Sequence, residues 1–308
     1  MNLQQLRQLV ALADTLNFRR AAEKLNMAQP PLSISLAKLE AELGARLFTR
    51  DRRKVALTAE GAAALPHATQ ALFHIDQVKA AVRESILGST GRLKIGFVGS
   101  ATYSLLPKLL SGFRLEYPNI DLSLEESTTT ALLRKLSDRE IDTALIRTPV
   151  LGDLDVELHV LETDTLVAVV KSPGPFDDRS SINVSELRDV PLITHPEGVV
   201  PNMRAIMMLM CHEAGFQPNV VQEAIQAQTM ISLVQSGIGV ALVAGVSRKY
   251  SATDIKFLDI TGSEDTNRIG LAIAVSRDQR NRVTEKFLEF SLRQAATSSH
   301  TEGRPAER

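Results

Sequence analysis

The sequence feature that most limits the possible folds is a regular alternation of short apolar segments with helical patterns, which begins near residue 92. Segments such as LKIGFV, TALIRT, LVAVV and GLAIAV have the length and composition of strands. Between the strands, the spacing of apolar residues predicts helices over about 103–117, 129–138, 202–214, 227–236 and 279–297. This alternation predicts α/β domains with largely parallel sheets. A length of 308 residues also favours two or three domains over one.

The first 57 residues follow a different pattern, with three short helical segments separated by tight breaks. In the third segment, four leucines recur at helical spacing between residues 32 and 43, Pro30 and Pro31 fall in the first turn, and Gly44 follows the last turn. The next stretch, LFTRDRRKVALT, has two short extended pieces around a charged tip and predicts a hairpin. The pattern therefore predicts a small helical module with an appended hairpin.

Charge separates this module from the rest of the chain. The formal net charge is −1, but residues 1–60 carry ten basic and six acidic side chains, and the remaining 248 residues carry 25 basic and 30 acidic ones. The module therefore has a net charge of +4, and the remaining 248 residues have a net charge of −5. This asymmetry is typical of a small basic module that binds nucleic acid, joined to a mildly acidic remainder. Trp is absent and aromatic residues make up 4% of the chain, which argues against a stacking surface for single strands.

Two helices joined by a tight turn, the second with polar residues at its N-terminal end, are suited to place a helix in the DNA major groove. The second helix is predicted over about 29–42, and the hairpin tip at 50–54 holds four cations that suit phosphates or the adjacent minor groove. The alternative is a three-helix bundle with a solvated charged turn. Helix spacing, polar N-terminus and basic hairpin together favour DNA binding.

The N-terminal sequence resembles a known family. Residues 1–60, with AAEKL, QPPLS, LEAELGARLFTR and LTAEG, are similar to the winged helix-turn-helix of LysR-type transcriptional regulators. The resemblance extends over residues 1–297 and implies a winged N-terminal module, a long linker helix and a two-lobed α/β effector domain of the periplasmic-binding-protein type. The implied boundaries are 1–57 for the DNA-binding domain, 58–90 for the linker, 91–161 with 269–297 for subdomain I, 162–268 for subdomain II and 298–308 for a disordered tail.

The residues that the pattern and the resemblance together place at the DNA are mainly polar or basic. One position departs from the family pattern: Ile34-Ser35 stands where a basic or amide pair is common, and an isoleucine suits a thymine methyl rather than guanine. The predicted DNA-binding residues are Arg19, Gln29, Pro30, Pro31, Ser33, Ser35, Lys38, Arg50, Arg52, Arg53 and Lys54.

A second site is expected at the carboxyl ends of the strands, where α/β sheets bind ligands. LKIGFV runs into Gly99-Ser100-Ala101-Thr102, IDLSLEE runs into Ser127-Thr128-Thr129-Thr130, and TALI ends at Arg147. Small residues, hydroxyls and one guanidinium suit a small carboxylate. Each hydroxyl has the alternative role of a helix N-cap, and Arg147 that of a surface ion pair.

The resemblance is closest in pattern to the branch that senses aromatic acids or ring-cleavage products such as muconate, through GFVGSATYSLLP, ESTTT, LIRTP and HPEGVVPNM. It implies an aromatic or dicarboxylic acid bound between the two lobes. Met203 stands at a position that is often aromatic in that branch. The predicted effector-binding residues are Gly99, Ser100, Thr102, Thr128, Thr129, Arg147, Pro201, Asn202 and Met203.

Partners and location follow from the same features. The apolar stripe of the 58–88 helix favours pairing with a second copy, and the resemblance implies a homodimer through this helix, a homotetramer, double-stranded operator DNA and RNA polymerase. No apolar run approaches the roughly 18 residues of a spanning helix, and the N-terminus does not have a signal-peptide layout. We therefore expect a cytoplasmic protein with no membrane partner.

Two other classes of protein were weighed. An enzyme of small-carboxylate metabolism predicts a nucleophile, a base and an orienting group at the strand ends, and a transport protein predicts a signal peptide without a basic head; the sequence shows neither pattern. No cofactor or metal site is predicted, since Cys211 and His212 are adjacent and would diverge on a helix. Cys211 as a redox sensor is a further alternative, but the chain has no second cysteine to resolve it.

Overall fold

The computed structural model divides the chain into two compact units, one of residues 1–90 with the short segment 138–140, and one of residues 91–137 with 141–308. The residues that the structure describes are 1–51, 54–87, 91–152, 155–250, 253–278 and 280–301.

The N-terminal unit consists of three short helices, a two-stranded hairpin and one long helix. Its elements are α1 (Leu3–Thr15), α2 (Phe18–Lys24), α3 (Gln29–Leu43), β1 (Phe48–Asp51), β2 (Lys54–Leu57) and α4 (Ala59–Leu87). Strands β1 and β2 pair antiparallel from Phe48 opposite Leu57 to Asp51 opposite Lys54.

Local sequence explains where these helices begin and end. Asn2 caps α1 through a capping box with Gln5, and the Asn17 side chain accepts hydrogen bonds from the first backbone N–H groups of α2. Helix α3 has prolines in its first turn, where an N–H would lack a partner, and ends at Gly44 with φ of 69°. Its leucines at 32, 36 and 39 are fully buried in the core of the unit.

Two side chains and one glycine join the helices to the hairpin and to α4. The Glu40 carboxylate accepts hydrogen bonds from the backbone N–H groups of Leu47 and Phe48, at 2.9 and 3.2 Å. Thr58 Oγ1 donates to the Arg46 carbonyl (2.7 Å) and accepts from Gly61 N (3.0 Å). A Cβ at Gly61 would lie 2.0 Å from the Leu47 carbonyl oxygen, so only glycine allows this approach. These contacts give a physical role to the glutamate, threonine and glycine of the N-terminal sequence pattern.

Helix α4 is continuous over 29 residues although it contains Pro66. At about 1.5 Å per residue it is roughly 44 Å long. Its first part packs on the core, where Ala68 is buried. Val78 and Val82 on the predicted apolar stripe are 64% and 55% exposed.

The second unit contains two sheets, each with its own helices, which we call lobe I and lobe II. Lobe I contains β3 (Gly91–Phe97), α5 (Leu105–Glu116), β4 (Ile120–Glu126), α6 (Thr129–Ser137), β5 (Thr143–Thr148), β6 (Val156–Asp164), β13 (Ile269–Ser276) and α9 (Arg282–Thr301). Lobe II contains β7 (Leu166–Lys171), β8 (Ser181–Asn183), β9 (Pro191–Thr194), α7 (Pro201–Glu213), β10 (Asn219–Glu223), α8 (Ala227–Gln235), β11 (Val240–Ala244) and β12 (Ile255–Thr261).

Both sheets are largely parallel, as expected, and each has one strand of opposite direction. The lobe I sheet has the order β4-β3-β5-β13-β6, and β13 runs antiparallel to both of its neighbours. The lobe II sheet has the order β10-β9-β11-β7-β12-β8, and β7 runs antiparallel to β11 and β12. Each reversed strand is the first strand that follows a crossover between the lobes.

Strand β6 was not predicted from the sequence. Its charged and apolar residues alternate, but it is an edge strand and its alternation changes face at a bulge, where Leu161 lies between residues paired with Leu271 and Ala272. Leu161 is therefore buried, while Leu158 and Val160 are exposed. The bulge directs the end of β6, with Glu162 and Asp164, toward the N-terminal part of α5 and toward Arg147.

Large aromatic side chains hold the helices of lobe I together. Phe113 of α5 packs edge-to-face on Phe287 and Phe290 of α9, with ring centroids 5.0 and 5.6 Å apart. In lobe II the methionines of α7 are core residues: Met203, Met207 and Met210 pack with Leu192 and Leu242. Helix α9 continues to Thr301, so the disordered tail predicted from residue 298 begins too early; residues 302–308 lie outside the described residues.

The chain crosses between the lobes twice, between β6 and β7 and between β12 and β13. Asn267, on the second crossover, links the two. Its side-chain oxygen accepts a hydrogen bond from Leu166 N (2.6 Å), and its side-chain nitrogen donates to the Leu166 carbonyl (3.0 Å). Within the described part of the chain, no helix has the length and apolar character needed to cross a membrane.

Candidate functional site

The first candidate site is the outer face of α3. The buried leucines fix the rotation of this helix, so that Gln29, Pro30, Pro31 and Lys38 are exposed. Ser33 and Ser35 are half-buried on the same helix. Of the residues predicted on this helix, the structure therefore leaves Gln29, Pro30, Pro31 and Lys38 accessible and the two serines partly accessible.

Ile34 is unusual on this face, because its side chain is 59% exposed between the two serines. Exposed single apolar residues are common on proteins. Here its neighbours in sequence are the half-buried Ser33 and Ser35, so Ile34 is an accessible apolar group on an otherwise mostly polar surface.

The remaining predicted DNA contacts lie on α2 and the hairpin. The Arg19 side chain is 83% exposed and makes an ion pair with Glu23, 3.0 Å between Nε and Oε1. Arg50 and Lys54 belong to β1 and β2. Arg52 and Arg53, at the hairpin tip, lie outside the described residues.

The second candidate site is a small pocket between lobe I and lobe II, with a volume of about 60 Å³. It lies at the carboxyl ends of β3, β4 and β5, where the sequence predicted a ligand site. Lobe I contributes Val98, Gly99, Ser100, Thr128, Thr129 and Arg147 to its wall. Lobe II contributes His195, Val200, Met203, Ile225, Gln226 and Ala244.

Arg147 is the centre of this pocket, and its side chain is only 5% exposed. Its Nε donates to Ser100 Oγ (3.0 Å) and its Nη1 donates to Asp164 Oδ2 (3.2 Å). Its Nη2 is buried and has no hydrogen-bond partner among the described residues. Because Nε and Nη2 share one edge of the planar guanidinium, the edge that meets Ser100 retains an unused donor.

The surroundings of Arg147 favour an anionic ligand. Burial lowers the pKa of the Arg147 guanidinium, while the Asp164 and Glu162 carboxylates act in the opposite direction. Arginine remains charged in proteins, so Arg147 cannot avoid the free-energy cost of burial by losing its proton. An unpaired buried donor costs about 1–3 kcal/mol, and more when charged. A carboxylate that reached Nη2 would recover that energy.

Asp164 connects Arg147 to the crossover and to lobe II. The same Oδ2 that accepts from Arg147 also accepts from the backbone N–H of Val246 (3.2 Å), and Oδ1 accepts from Thr165 N (2.8 Å). The alternative of a surface ion pair for Arg147 is therefore wrong in its location: the pair is buried and lies at the passage between the lobes.

The hydroxyls of the pocket wall have structural partners. Thr129 Oγ1 accepts from Arg147 N (3.2 Å), and Thr128 Oγ1 accepts from Ala131 N (3.4 Å) at the start of α6. A Cβ at Gly99 would lie 2.7 Å from side-chain oxygens of Gln226 and Glu126, so a larger residue would require these flexible side chains to move. Thr128 thus fills the capping role considered as its alternative.

Three residues predicted for the effector do not line this pocket. Thr102 is exposed, and its hydroxyl donates to the Gly99 carbonyl (2.6 Å). Pro201 and Asn202 begin α7 and line a neighbouring cavity. The Asn202 amide donates to the carbonyls of Arg147 (3.2 Å) and Pro149 (3.1 Å), so it joins the lobes instead of facing the pocket.

His195 and Asp164 were not among the site residues predicted from the sequence. His195 is buried in the pocket wall, its Nδ1 is 3.2 Å from the Ala224 carbonyl oxygen, and burial lowers its pKa to about 4. The ring is therefore neutral near pH 7 and adds no positive charge. His195 ends the PLIT strand, and the strand-end rule applied to lobe II would have found it. Asp164 ends β6, the strand that was not recognised.

Other contacts join the two lobes near the pocket. Gln226 Nε2 donates to Glu126 Oε1 (3.0 Å), which joins lobe II to lobe I. The rings of Tyr103 and Tyr250 meet edge-to-face with centroids 6.5 Å apart. Tyr103 also has a side-chain hydrogen bond with Gln228, although burial has the larger influence on its pKa and raises it.

Cys211 does not belong to either site. It is buried in lobe II, and burial raises the pKa of its thiol to about 11. A protonated, buried thiol is a core residue, and this weakens the redox-sensor alternative. No cluster of potential metal ligands occurs among the described residues.

Comparison with known protein families agrees with this division. Residues 3–62 match the bacterial regulatory helix-turn-helix protein, lysR family, and residues 88–296 match the LysR substrate binding domain. The HTH-type transcriptional regulator AlsR of Bacillus subtilis is 33% identical over 291 residues, which are 94% of this chain and 95% of AlsR. The chain belongs to the LysR family of transcriptional regulators.

Other LysR-type proteins are similar over comparable lengths. The Hca operon transcriptional activator HcaR of Escherichia coli is 35% identical over 85% of this chain and 88% of its own length. The crystal structure of the LysR family regulator CbnR has a TM-score of 0.77 at 24% identity, over 96% of this chain and 99% of CbnR. The expected architecture of helix-turn-helix, long helix and two α/β lobes is confirmed. The protein is a DNA-binding regulator with an effector-binding domain and not an enzyme.

Proposed function

We propose that this LysR-type regulator responds to a small organic acid that binds between lobe I and lobe II with its carboxylate on Arg147. The observation that carries the proposal is the buried guanidinium with an unused Nη2 donor in the wall of a pocket. Gly99, Ser100, Thr128, Thr129 and Met203 complete the part of the wall that the sequence predicted. The resemblance to regulators of aromatic acids and muconate supports an organic acid as the class of ligand.

The proposal for the N-terminal unit is that α3 reads base edges while the hairpin and Arg19 contact phosphates. The exposed Gln29, Pro30, Pro31 and Lys38 and the half-buried Ser33 and Ser35 support this role for α3. A structure of CbnR in complex with its target DNA, similar to this chain with a TM-score of 0.75, supports the same use of the fold. The roles of Arg50, Arg52, Arg53 and Lys54 stay predictions from sequence.

The acid is expected to act through the Arg147–Asp164 pair. A ligand carboxylate on Nη2 brings a second negative charge to the guanidinium that holds Asp164 through Nη1, and so weakens this pair; Asp164 also accepts a hydrogen bond from the backbone N–H of Val246 in lobe II. Binding therefore alters a contact at the passage between the lobes. A ligand shifts such an equilibrium only by its differential affinity for the two arrangements, and this contact supplies the difference.

Assembly is the remaining part of the proposal. Val78 and Val82 are exposed on α4, which supports pairing of this helix with a second copy. A homodimer through α4, a homotetramer, contact with RNA polymerase and a cytoplasmic location stay predictions.

Binding of random duplex DNA followed by sequencing of the bound fraction tests the DNA half of the proposal, because a LysR-type regulator must enrich one sequence. A thermal-shift titration with small organic acids tests the ligand half, since a ligand specific for the folded protein raises its melting temperature. Replacement of Arg147 by Met should weaken binding of the active acid roughly 100-fold, because it removes a buried charged partner. Affinity for the enriched DNA without acid should change by less than about 3-fold.

Arg147→Lys is the control for folding, since it keeps the charge and loses the two-donor edge. It should bind the acid with intermediate affinity. Unaltered acid affinity in Arg147→Met would show that the pocket has been misassigned, and failure to enrich any DNA sequence would contradict the DNA half.

A further inference from the structure

Glu40, near the end of α3, uses its side chain to bind the backbone of the segment that follows the helix. Its Oε1 accepts hydrogen bonds from the N–H groups of both Leu47 and Phe48, at 2.9 and 3.2 Å. Phe48 is the first residue of β1, and Leu47 directly precedes it. Both residues are buried, and a buried donor that loses its acceptor destabilises the fold. One oxygen atom thus fixes the start of the hairpin to α3.

The turn between α3 and β1 also depends on the backbone of Glu40. The helix ends at Gly44, in the left-handed region, and Ala45 N donates to the Glu40 carbonyl (3.2 Å). The main chain of Glu40 therefore holds the first part of the turn, and its side chain holds the last part. The direction in which the hairpin leaves α3 is set by these three hydrogen bonds together.

The same segment is held from its other side by contacts that do not involve Glu40. Thr58 N donates to the Leu47 carbonyl (3.0 Å), and Thr58 Oγ1 donates to the Arg46 carbonyl (2.7 Å). These contacts and the burial of the Leu47 and Phe48 side chains remain when the Glu40 carboxylate is removed. Its loss should therefore loosen the hairpin relative to α3 without unfolding the N-terminal unit.

The charge of Glu40 has the wrong sign for direct contact with DNA. A carboxylate in a DNA-binding unit repels phosphates, so its removal with no other change should strengthen DNA binding. If Glu40 supports DNA binding, it does so through the backbone groups that it holds. Charge and hydrogen bonding therefore predict effects of opposite sign, and the sign of the measured effect separates them.

We propose that Glu40 is a positioning residue for DNA recognition, whose Oε1 fixes the hairpin against α3 so that both elements meet one duplex at the same time. The proposal rests on the proposed DNA-binding roles of α3 and the hairpin. It adds a residue that makes no contact with DNA. Positioning raises affinity because the hairpin loses its freedom of movement before the DNA binds.

The test measures binding of the full-length protein to the duplex enriched from random DNA, by fluorescence anisotropy over a range of salt concentrations. Glu40→Ala removes both side-chain hydrogen bonds and should weaken binding roughly 10-fold at low salt. The slope of log K against log salt should fall by about 1 or more, because phosphate contacts of the hairpin are lost. Glu40→Gln keeps an oxygen acceptor and removes the charge, so its affinity should equal or exceed that of the wild type.

Glu42→Ala is the matched control for charge. Glu42 lies on the same helix, its side chain is 51% exposed, and it pairs with the N-terminal amino group of Met1. Its replacement removes the same charge without touching the hairpin, so the affinity should stay the same or rise. Far-UV circular dichroism at the temperature of the binding measurement checks that each variant is folded.

A double-mutant cycle provides a measurement that does not depend on stability. In a protein that already carries Arg52→Ala and Arg53→Ala, the hairpin has lost the contacts that Glu40 positions. Glu40→Ala should then weaken binding by less than about 2-fold further.

Contrary results separate this proposal from the proposed function. If Glu40→Gln loses as much affinity as Glu40→Ala, or if Glu40→Ala weakens binding equally with and without the hairpin arginines, Glu40 does not position the hairpin. The proposal is then overturned, and the DNA-binding roles of α3 and the hairpin stand. If the arginine variant itself has an unchanged salt slope, or if no DNA sequence is enriched, the proposed DNA-binding role is wrong and this proposal fails with it.

Discussion

The two candidate sites of this protein differ in how far their charged groups are exposed to water. The α3 face is exposed, and its polar and cationic side chains are in water before any partner arrives. Arg147 is already removed from water and bonded to Asp164 and Ser100, and its Nη2 has no hydrogen-bond partner among the described residues. The first site is suited to a polyanion over a large surface, and the second to a single anionic group beside a buried cation.

This difference predicts different responses to the solution. Exposed cations that bind DNA release counterions, so their contribution falls steeply with salt. A buried pair is screened far less, so the pocket should respond weakly to salt and strongly to any change in a buried charge. The lesson is that one chain can hold a salt-sensitive contact and a salt-insensitive contact when it places them at different depths. Three experiments test this contrast.

The largest effect is expected when the pH is lowered, and it concerns the buried ring of His195. Its pKa in the folded protein is about 4, below the ordinary value of 6.5, so the unfolded chain takes up the proton first as the pH falls. Its contribution to stability is complete above pH 6.5 and is lost as the pH approaches 4. The difference corresponds to roughly 3 kcal/mol at most. Urea unfolding at pH 6.5, 5.5 and 4.5 should show a smaller decline for His195→Gln than for the wild type.

His212→Gln is the matched control, because His212 is exposed in the same lobe. It should follow the wild type through the whole pH range. Equal declines for the His195 variant and the wild type would show that this ring does not cause the acid sensitivity of the pocket wall.

The second experiment addresses the salt-sensitive site. Arg52→Ala with Arg53→Ala should weaken DNA binding at every sequence and lower the slope of log K against log salt by about 1.8, because two phosphate contacts are lost. At low salt the loss of affinity should be roughly 10-fold or more. Fluorescence anisotropy with labelled duplex DNA between low and moderate salt measures both quantities.

A control with the same change in net charge separates local contacts from overall charge. Arg268 and Arg293 are exposed in the second unit, and their replacement by Ala should leave the slope unchanged. If both double variants lower the slope equally, the hairpin arginines act only through net charge, and the predicted phosphate contacts of the hairpin are contradicted.

The smallest effect concerns Ile34, an apolar residue at the exposed site. Ile34→Ala should weaken binding to the enriched DNA roughly 5-fold through loss of an apolar contact with a thymine methyl. Replacement of that thymine by uracil should cost the wild type a similar amount and cost the variant nothing further. Leu43→Ala, which removes an exposed apolar side chain at the other end of α3, should have no effect. Additive losses from the variant and from uracil would mean that Ile34 does not contact the methyl.

The amount that could be predicted from sequence differs between the sites for a physical reason. The α3 face lies on one helix, so the spacing of its leucines is enough to predict which residues point outward. Gly99, Ser100 and Arg147 were found by the strand-end rule, because each directly follows or ends a strand that is easy to recognise.

The partners of Arg147 could not be found in this way. Asp164 ends an edge strand whose pattern is interrupted by a bulge, and His195 comes from the other lobe. The direction of the Asn202 amide and the hydrogen bond of Gln226 to Glu126 depend on how the two lobes meet, which no periodicity within one segment encodes. The sequence therefore predicted Arg147 as the cation of the pocket. Its counter-ion Asp164, and the charge and size of the pocket, could be identified only from the structure.

Asn267 ties the two crossovers together at Leu166, through both the N–H and the carbonyl of that residue. Because these hydrogen bonds fasten the second crossover to the first residue of β7, we expect the two connections to move together and not independently. Any change in the angle between the lobes should then involve both crossovers at once, and one asparagine side chain couples them.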